Sequence, residues 1–153
     1  VVDAGVRDSM NMGAAMAPAA FHTVMQNLKD LEITKEQLEG GWYDKIITGD
    51  LGKIGKQALA DLLRNEGLEA EGFLMDCGVE IYDNQKQDTH AGGSGCGCSA
   101  LVLGALILPN IQAGIWKRVL FVPTGALLST VSFNEGQTIP GIAHGVILER
   151  MGK

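Results

Sequence analysis

Disulfide frameworks, nucleic-acid footprints and membrane spans are all missing from this chain. Its 153 residues hold only three cysteines, four prolines and 12 lysines and arginines against 18 aspartates and glutamates. Three cysteines cannot pair completely, and two of them stand one residue apart, which excludes an extracellular disulfide scaffold and favours a reducing compartment. The formal net charge of -6 excludes the concentrated positive surface of a nucleic-acid binder. Such clustered bases as there are, Lys53 with Lys56 and Lys117 with Arg118, suffice for a local anion contact and no more. The longest apolar run, Cys96 to Leu108, is about 13 residues and meets Pro109, short of the roughly 20 that span a bilayer. It predicts a helix that is apolar all round, ends at the proline and lies buried between layers. Repeats, coiled-coil heptads and low-complexity segments are absent too. With no initiator methionine, signal peptide or transit segment ahead of Val1, the chain is expected to be part of a longer protein.

What is present is enough for one domain over residues 1–153, with 46% hydrophobic residues to build a core. "VVDAG" reads as a short strand, followed by an irregular approach. A helix is expected from Pro18, which suits a first turn, to Asp30, with Phe21, Met25 and Leu28 at helical spacing. Thr34 and Gln37 form a capping-box pattern that starts a further turn or two of helix. "YDKIITGDLGKIGKQALADLLRNEG" predicts a strand over 45–48 and a helix over 52–65. Ile54, Ala58 and Leu62 would form its inward stripe, widened by Leu59 and Leu63, with Gly67 as C-cap. "CGVEIYD" alternates as a strand with Cys77, Val79 and Ile81 on one face. "KRVLFVPTG" reads as a fully buried strand and "AHGVILER" as the last one. Alternating strands and helices imply an α/β layer structure.

The stretch "DTHAGGSGCGCSALVLGALIL" carries the candidate chemistry, and it supports several readings. "GCGCSA" fits the G-x-G-x-x-A variant of a dinucleotide fingerprint. The acidic residue needed about 20 positions later is missing, because no Asp or Glu lies between Asp88 and Glu135. A zinc site from His90, Cys96, Cys98 and Cys77 has suitable ligand types, but on a helix Cys96 and Cys98 point to opposing sides, so no metal is expected. The glycines also allow a tight helix start whose exposed N–H groups attract anions. The last reading is a histidine of an acyl-transfer site.

The motifs "MNMGAAMAPAA", "YDKIITGDLGKIG", "DTHAGGSGCGCSA", "RVLFVPTGALLS" and "IPGIAHGVILE", in this order, resemble the stage V sporulation protein AD family, the thiolase-like branch of the SpoVA system. The resemblance runs through almost the whole chain and corresponds to a C-terminal half. It implies a thiolase-like α/β domain: one βαβαβαββ half of a layered αβαβα fold, with a mixed sheet and a buried central helix. In active members of the superfamily, a cysteine from the N-terminal half works with two residues of the C-terminal half. His90 matches the second of these positions, and Gly49, which has no proton acceptor, matches the first. Asp50 beside it is read as the cap of the helix near Gly52, with a general base as the alternative.

The resemblance therefore implies a pseudoenzyme without cofactor, which binds dipicolinic acid or its calcium chelate for uptake into the developing spore. It would sit peripherally on the inner forespore membrane beside other SpoVA membrane subunits, and it could pair as a homodimer. The implied ligand contacts are His90, the N–H groups from Ala91 through Gly92 and Gly93 to Gly95, Asp50, and the turn "TGALLS" with Thr124, Gly125 and Ala126. Pro109 and the segment "STVSFNEGQ" depart from the family pattern. The alternatives are an active condensing or thiolytic acyltransferase on coenzyme A or carrier-protein thioesters, with His90 as its active-site residue, and a purely structural scaffold.

Overall fold

A computed structural model of the chain describes residues 1–151. Its centre is a four-stranded sheet in the order β2 (Leu74–Asp76), β1 (Lys45–Thr48), β3 (Arg118–Val122), β6 (Val146–Glu149). The first three strands are parallel and β6 is antiparallel to β3. Alternation along the strands assigns each apolar residue to one of two cores. Ile46, Leu74, Leu120 and Val122 face α1 (Met12–Asp30) and α3 (Gly52–Asn65). Ile47, Val119 and Phe121 face the helical stretch that follows the glycine-rich turn. Both faces are covered, which is why β3 reads as an unbroken apolar run.

The expected strand β1, the strand–turn–helix unit through α3, and the strands β3 and β6 all stand where the sequence placed them. The capping box at Thr34 starts α2 (Lys35–Glu39), with the Thr34 N–H donating to Gln37 Oε1 at 2.8 Å and the Gln37 N–H to Thr34 Oγ1 at 3.2 Å. Helix α3 ends where Gly67 adopts φ +79°. Of its expected stripe Leu59 and Leu63 are buried and Ala58 packs against the core, but Ile54 is exposed and Gly52, Gly55 and Ala60 face inward instead. The helix is rotated because α1 and α3 cross at glycines. A Cβ on Gly55 would lie 2.8 Å from Gly13 Cα and 2.9 Å from its carbonyl oxygen.

Other expectations are corrected. Helix α1 begins at Met12, capped by Asn11, and not at Pro18, which lies inside it. The run "MGAAMA" supplies alanines and methionines, strong helix formers that carry the helix back past the proline. "VVDAG" contributes only a bridge between Val2 and Gly141. The strand expected at Cys77 is instead β2, ending at Asp76, followed by the single helical turn α4 (Cys77–Glu80). Pairing with β1 stops at Thr48–Asp76, because the Asp76 side chain there turns to the start of α3.

The helix after the glycines does not end at Pro109. It runs as α5 (Cys98–Val102), a π-helical turn (Leu103–Ile107) and α6 (Leu108–Ala113). In the π turn the Leu108 N–H donates to Leu103 O. The wider turn accommodates the proline ring, which would otherwise press on the preceding carbonyls. Asn110 Nδ2 bonds the Leu106 carbonyl at 2.8 Å. Nor is this helix buried all round: Cys98, Val102, Ile107 and Ile111 face the sheet, while Leu101 and Leu108 are exposed. The "TGALLS" turn opens as β4 (Thr124–Ala126), paired antiparallel with β5 (Gly141–Ala143). Between them lies α7 (Thr130–Asn134), started by a capping box at Ser129 and Ser132. No described helix is long and apolar enough to cross a membrane.

Candidate functional site

Ligands of open α/β sheets collect beyond the carboxyl ends of parallel strands, and here that edge carries a cleft of about 420 Å³. It is lined by Met12 and Met16 of α1, Asp50 after β1, Ser94, Gly95 and Cys96 of the glycine-rich turn, and Thr124 to Ala126 after β3.

Asp50 is its charged centre. The Thr124 hydroxyl donates to Asp50 Oδ1 at 3.1 Å and accepts the Asp50 N–H at 3.0 Å. The Ser94 hydroxyl and the Gly95 N–H reach Asp50 Oδ2 at 3.1 and 3.2 Å. The carboxylate thus ties the loop after β1 to the glycine-rich turn and to β4. It does not cap α3. That role belongs to Asp76, which is fully buried and takes the Leu51 and Gly52 N–H groups at 2.9 Å each and the Thr48 hydroxyl at 3.2 Å. Burial pushes the Asp76 carboxyl up to about 6, against the pull of these donors; the nearby Asp50 charge adds a smaller push.

Of the eight residues expected to hold a ligand, Asp50, Thr124, Gly125 and Ala126 meet in the cleft. His90, Ala91, Gly92 and Gly93 do not line it. His90, with φ +48°, turns its ring into solvent, 89% exposed, where Nδ1 lies 3.1 Å from Asp88 Oδ1. Several N–H groups expected to cradle an anion are spent inside the fold: Gly92 donates to Thr89 O at 2.8 Å, Gly93 to Gly78 O at 2.6 Å, and Gly95 to Asp50. The Ala91 carbonyl accepts the Lys53 N–H at 2.7 Å. In effect the anion at the turn is the protein's own carboxylate.

Gly49 is buried behind Asp50, and a Cβ there would lie 2.6 Å from the Thr124 nitrogen and 2.9 Å from its Oγ1. No side chain fits at this position while Thr124 holds its place. The thiols differ in reach. Cys77 and Cys98 are buried, and burial raises the Cys77 thiol to about 12 and moves Cys98 in the same direction. Cys96 is exposed at the cleft. No three His, Cys, Asp or Glu side chains converge on a metal position among the described residues. Met12 and Met16 escaped sequence reasoning because they fell in what read as an irregular approach; the alanine-rich run around them was the usable signal.

Comparison with known proteins agrees with the order of motifs. The family model for stage V sporulation protein AD matches residues 1–149. Stage V sporulation protein AD of Bacillus subtilis (strain 168) is 44% identical over 152 residues, which cover 99% of this chain and 43% of that protein. The chain thus spans less than half the length of the curated relative it matches, and by the match of the family model over residues 1–149 it belongs to the stage V sporulation protein AD family.

Proposed function

We propose that this chain is the C-terminal part of a thiolase-like, non-catalytic protein that binds dipicolinic acid for uptake into the developing spore. The observation that carries the non-catalytic reading is the cleft itself. One acyl-transfer position is a glycine with no room for a side chain, and the histidine at the other faces solvent outside the cleft. An activated nucleophile needs a base within hydrogen-bond reach; no histidine or lysine lines the cleft, and the Asp50 carboxylate there already accepts from Thr124, Ser94 and Gly95. Family membership places the protein in sporulation. Action beside SpoVA membrane subunits, a peripheral position on the inner forespore membrane and pairing as a homodimer belong to the same reading.

The cleft's chemistry favours the calcium chelate over the free dianion. Its lining residues include one carboxylate and two hydroxyl residues but no lysine, arginine or histidine. A dicarboxylate would meet repulsion from Asp50, whereas calcium held by the ligand would find the oxygen donors it prefers. The test is calorimetric titration of dipicolinate into the full-length protein, with and without equimolar calcium. Binding is expected with calcium, weakened about tenfold or more by Asp50→Asn, and unchanged by His90→Ala. Absence of binding in both forms at millimolar ligand would overturn the reading. A covalent acyl adduct after incubation with acyl-coenzyme A would replace it with an acyltransferase.

A further inference from the structure

Thr48 and Asp76 are the buried polar side chains among the described residues, and they meet beneath the cleft without lining it. A charge held there is out of reach of water, which costs free energy unless partners replace the hydration. Among the described residues no lysine, arginine or histidine forms an ion pair with Asp76. The titratable groups that face it are Asp50 from the loop after β1, Cys77 at the start of α4 and Cys98 of α5, none of them a cation.

The hydrogen bonds around Asp76 accommodate two protonation states. The Leu51 N–H and the Thr48 hydroxyl reach Oδ2 at 2.9 and 3.2 Å, and the Gly52 N–H reaches Oδ1 at 2.9 Å. The Thr48 oxygen also lies 3.2 Å from the Met75 carbonyl oxygen, and its single proton can serve one of these acceptors at a time. With Asp76 ionised, the hydroxyl donates to the carboxylate. With Asp76 protonated at Oδ2, the acid O–H donates to Thr48, whose own proton turns to Met75, so the hydroxyl is paired in both states. The Leu51 N–H then faces a neutral acid, a weaker acceptor than a carboxylate. Leu51 directly follows Asp50, and the turn is tight: Gly52 takes φ +67°, and a Cβ on Gly78 would lie 3.4 Å from both Asp50 Cα and Asp76 Oδ1. A change at Asp76 reaches Asp50 through one peptide unit and across one glycine.

We propose that Asp76, with Thr48 as its reversible hydrogen-bond partner, is a positioning residue and a proton switch for the cleft. Ionised, it fixes the Leu51–Gly52 turn and so aims Asp50 at Ser94, Gly95 and Thr124; protonated, it slackens that turn. A cation brought to Asp50 screens the repulsion between the two carboxylates. Filling the cleft with a calcium chelate therefore drives the Asp76 proton out to solvent, and binding is tighter above the titration than below it. Burial, which lifts this carboxyl to about 6, sets the switch between acid and neutral pH. The ligand part of the proposal rests on the calcium dipicolinate reading; the switch itself does not.

The experiment is NMR of the full-length protein with carbon-13 aspartate carboxyls and nitrogen-15 amides, titrated from pH 4 to pH 8. One carboxyl is expected to titrate at about 6, to be lost in Asp76→Asn, and to titrate about half a pH unit lower in Asp50→Asn. The amides of Leu51, Gly52 and Gly95 are expected to share that midpoint in the native protein and to lose it in Asp76→Asn. A carboxylate with a structural role alone would not move the Gly95 amide, which belongs to the cleft. If Asp76→Asn does not fold, Asp50→Asn and the shared midpoint carry the test. Calcium dipicolinate is expected to bind about threefold or more weakly at pH 5.5 than at pH 7.5, a difference lost in Asp76→Asn. The proposal is overturned by the absence of a carboxyl titrating between pH 5 and pH 7, by a midpoint that Asp50→Asn leaves unmoved, or by a Gly95 amide that does not follow it. Ligand binding whose pH dependence survives in Asp76→Asn overturns it too. Absence of calcium dipicolinate binding at both pH values counts against the dipicolinate reading instead, and the carboxyl titration still decides the switch.

Discussion

Burial raises Asp76 to about 6 while three hydrogen bonds hold it, and the sign of the resulting pH dependence is fixed by that direction. In the unfolded chain the carboxyl titrates near its ordinary value of 3.8, so between about 4 and 6 the folded state binds more protons than the unfolded one. Stability contributed through this group is therefore complete below the unfolded value and is lost as pH rises through the folded one. The whole swing is on the order of 3 kcal/mol, because each tenfold change in proton affinity between the two states is worth roughly 1.4 kcal/mol. Urea denaturation of the native protein and of Asp76→Asn, compared from pH 4 to pH 7, is expected to show the native protein losing stability relative to the variant up to about pH 6, with a constant difference above. A constant difference throughout the range would mean that Asp76 stays ionised in the fold. The consequence reaches function, because Asp76 anchors the start of α3 through Leu51 and Gly52, directly after Asp50.

Helices α1 and α3 meet through Gly13 and Gly55, and this contact sets how deeply Met12 and Met16 reach into the cleft between Asp50 and Thr124. Two effects oppose each other at Gly55. Alanine is the better helix former by about 1 kcal/mol, but its Cβ would sit 2.8 to 2.9 Å from the Gly13 backbone, where overpacking costs roughly 1–3 kcal/mol. The steric term is larger because backbone atoms cannot swing aside. Gly55→Ala is expected to lower the midpoint of thermal unfolding, whereas Gly104→Ala, at a helical glycine with open space around it, is expected to leave it unchanged or raise it. The same crossing shows why elements were more legible in the sequence than their faces. Residues 45–48, 52–65 and 118–122 carry their own periodicity, and the strands and helix stand where that periodicity put them. The rotation of α3 depends on a neighbour 42 positions away in the chain, from Gly13 to Gly55, which no local window contains. The site divides the same way. Asp50 and Thr124 follow strand ends, and it is the family resemblance that names them as site residues. That Asp50 consumes donors at the glycine-rich turn and at Thr124 depends on bonds across 44 to 74 residues of chain.

Exposed apolar surface links the chain to its assembly. Helices α5 and α6 bury Cys98, Val102, Ile107 and Ile111 against the sheet and leave Leu101 58% and Leu108 38% exposed on the opposite side. Val131 and Phe133 of α7 are also exposed. A soluble monomer seldom leaves so much apolar surface uncovered. The relative of which this chain matches 43% has more than half its length to place elsewhere, and in the layered arrangement proposed for the whole protein that remainder covers the outer side of α5. The isolated 153-residue chain is accordingly expected to self-associate through this face, and sedimentation velocity at rising concentration is the check. Leu101→Lys should shift the isolated chain toward the monomer, since the lysine replaces an exposed apolar contact with a solvated charge. In the full-length protein the same substitution should instead destabilise folding by about 2 kcal/mol or more, because it places a charge in a buried layer. The two outcomes have opposite signs at one residue. A variant that improves both forms would show that the face is open to solvent in the whole protein, and the layered arrangement would then fail.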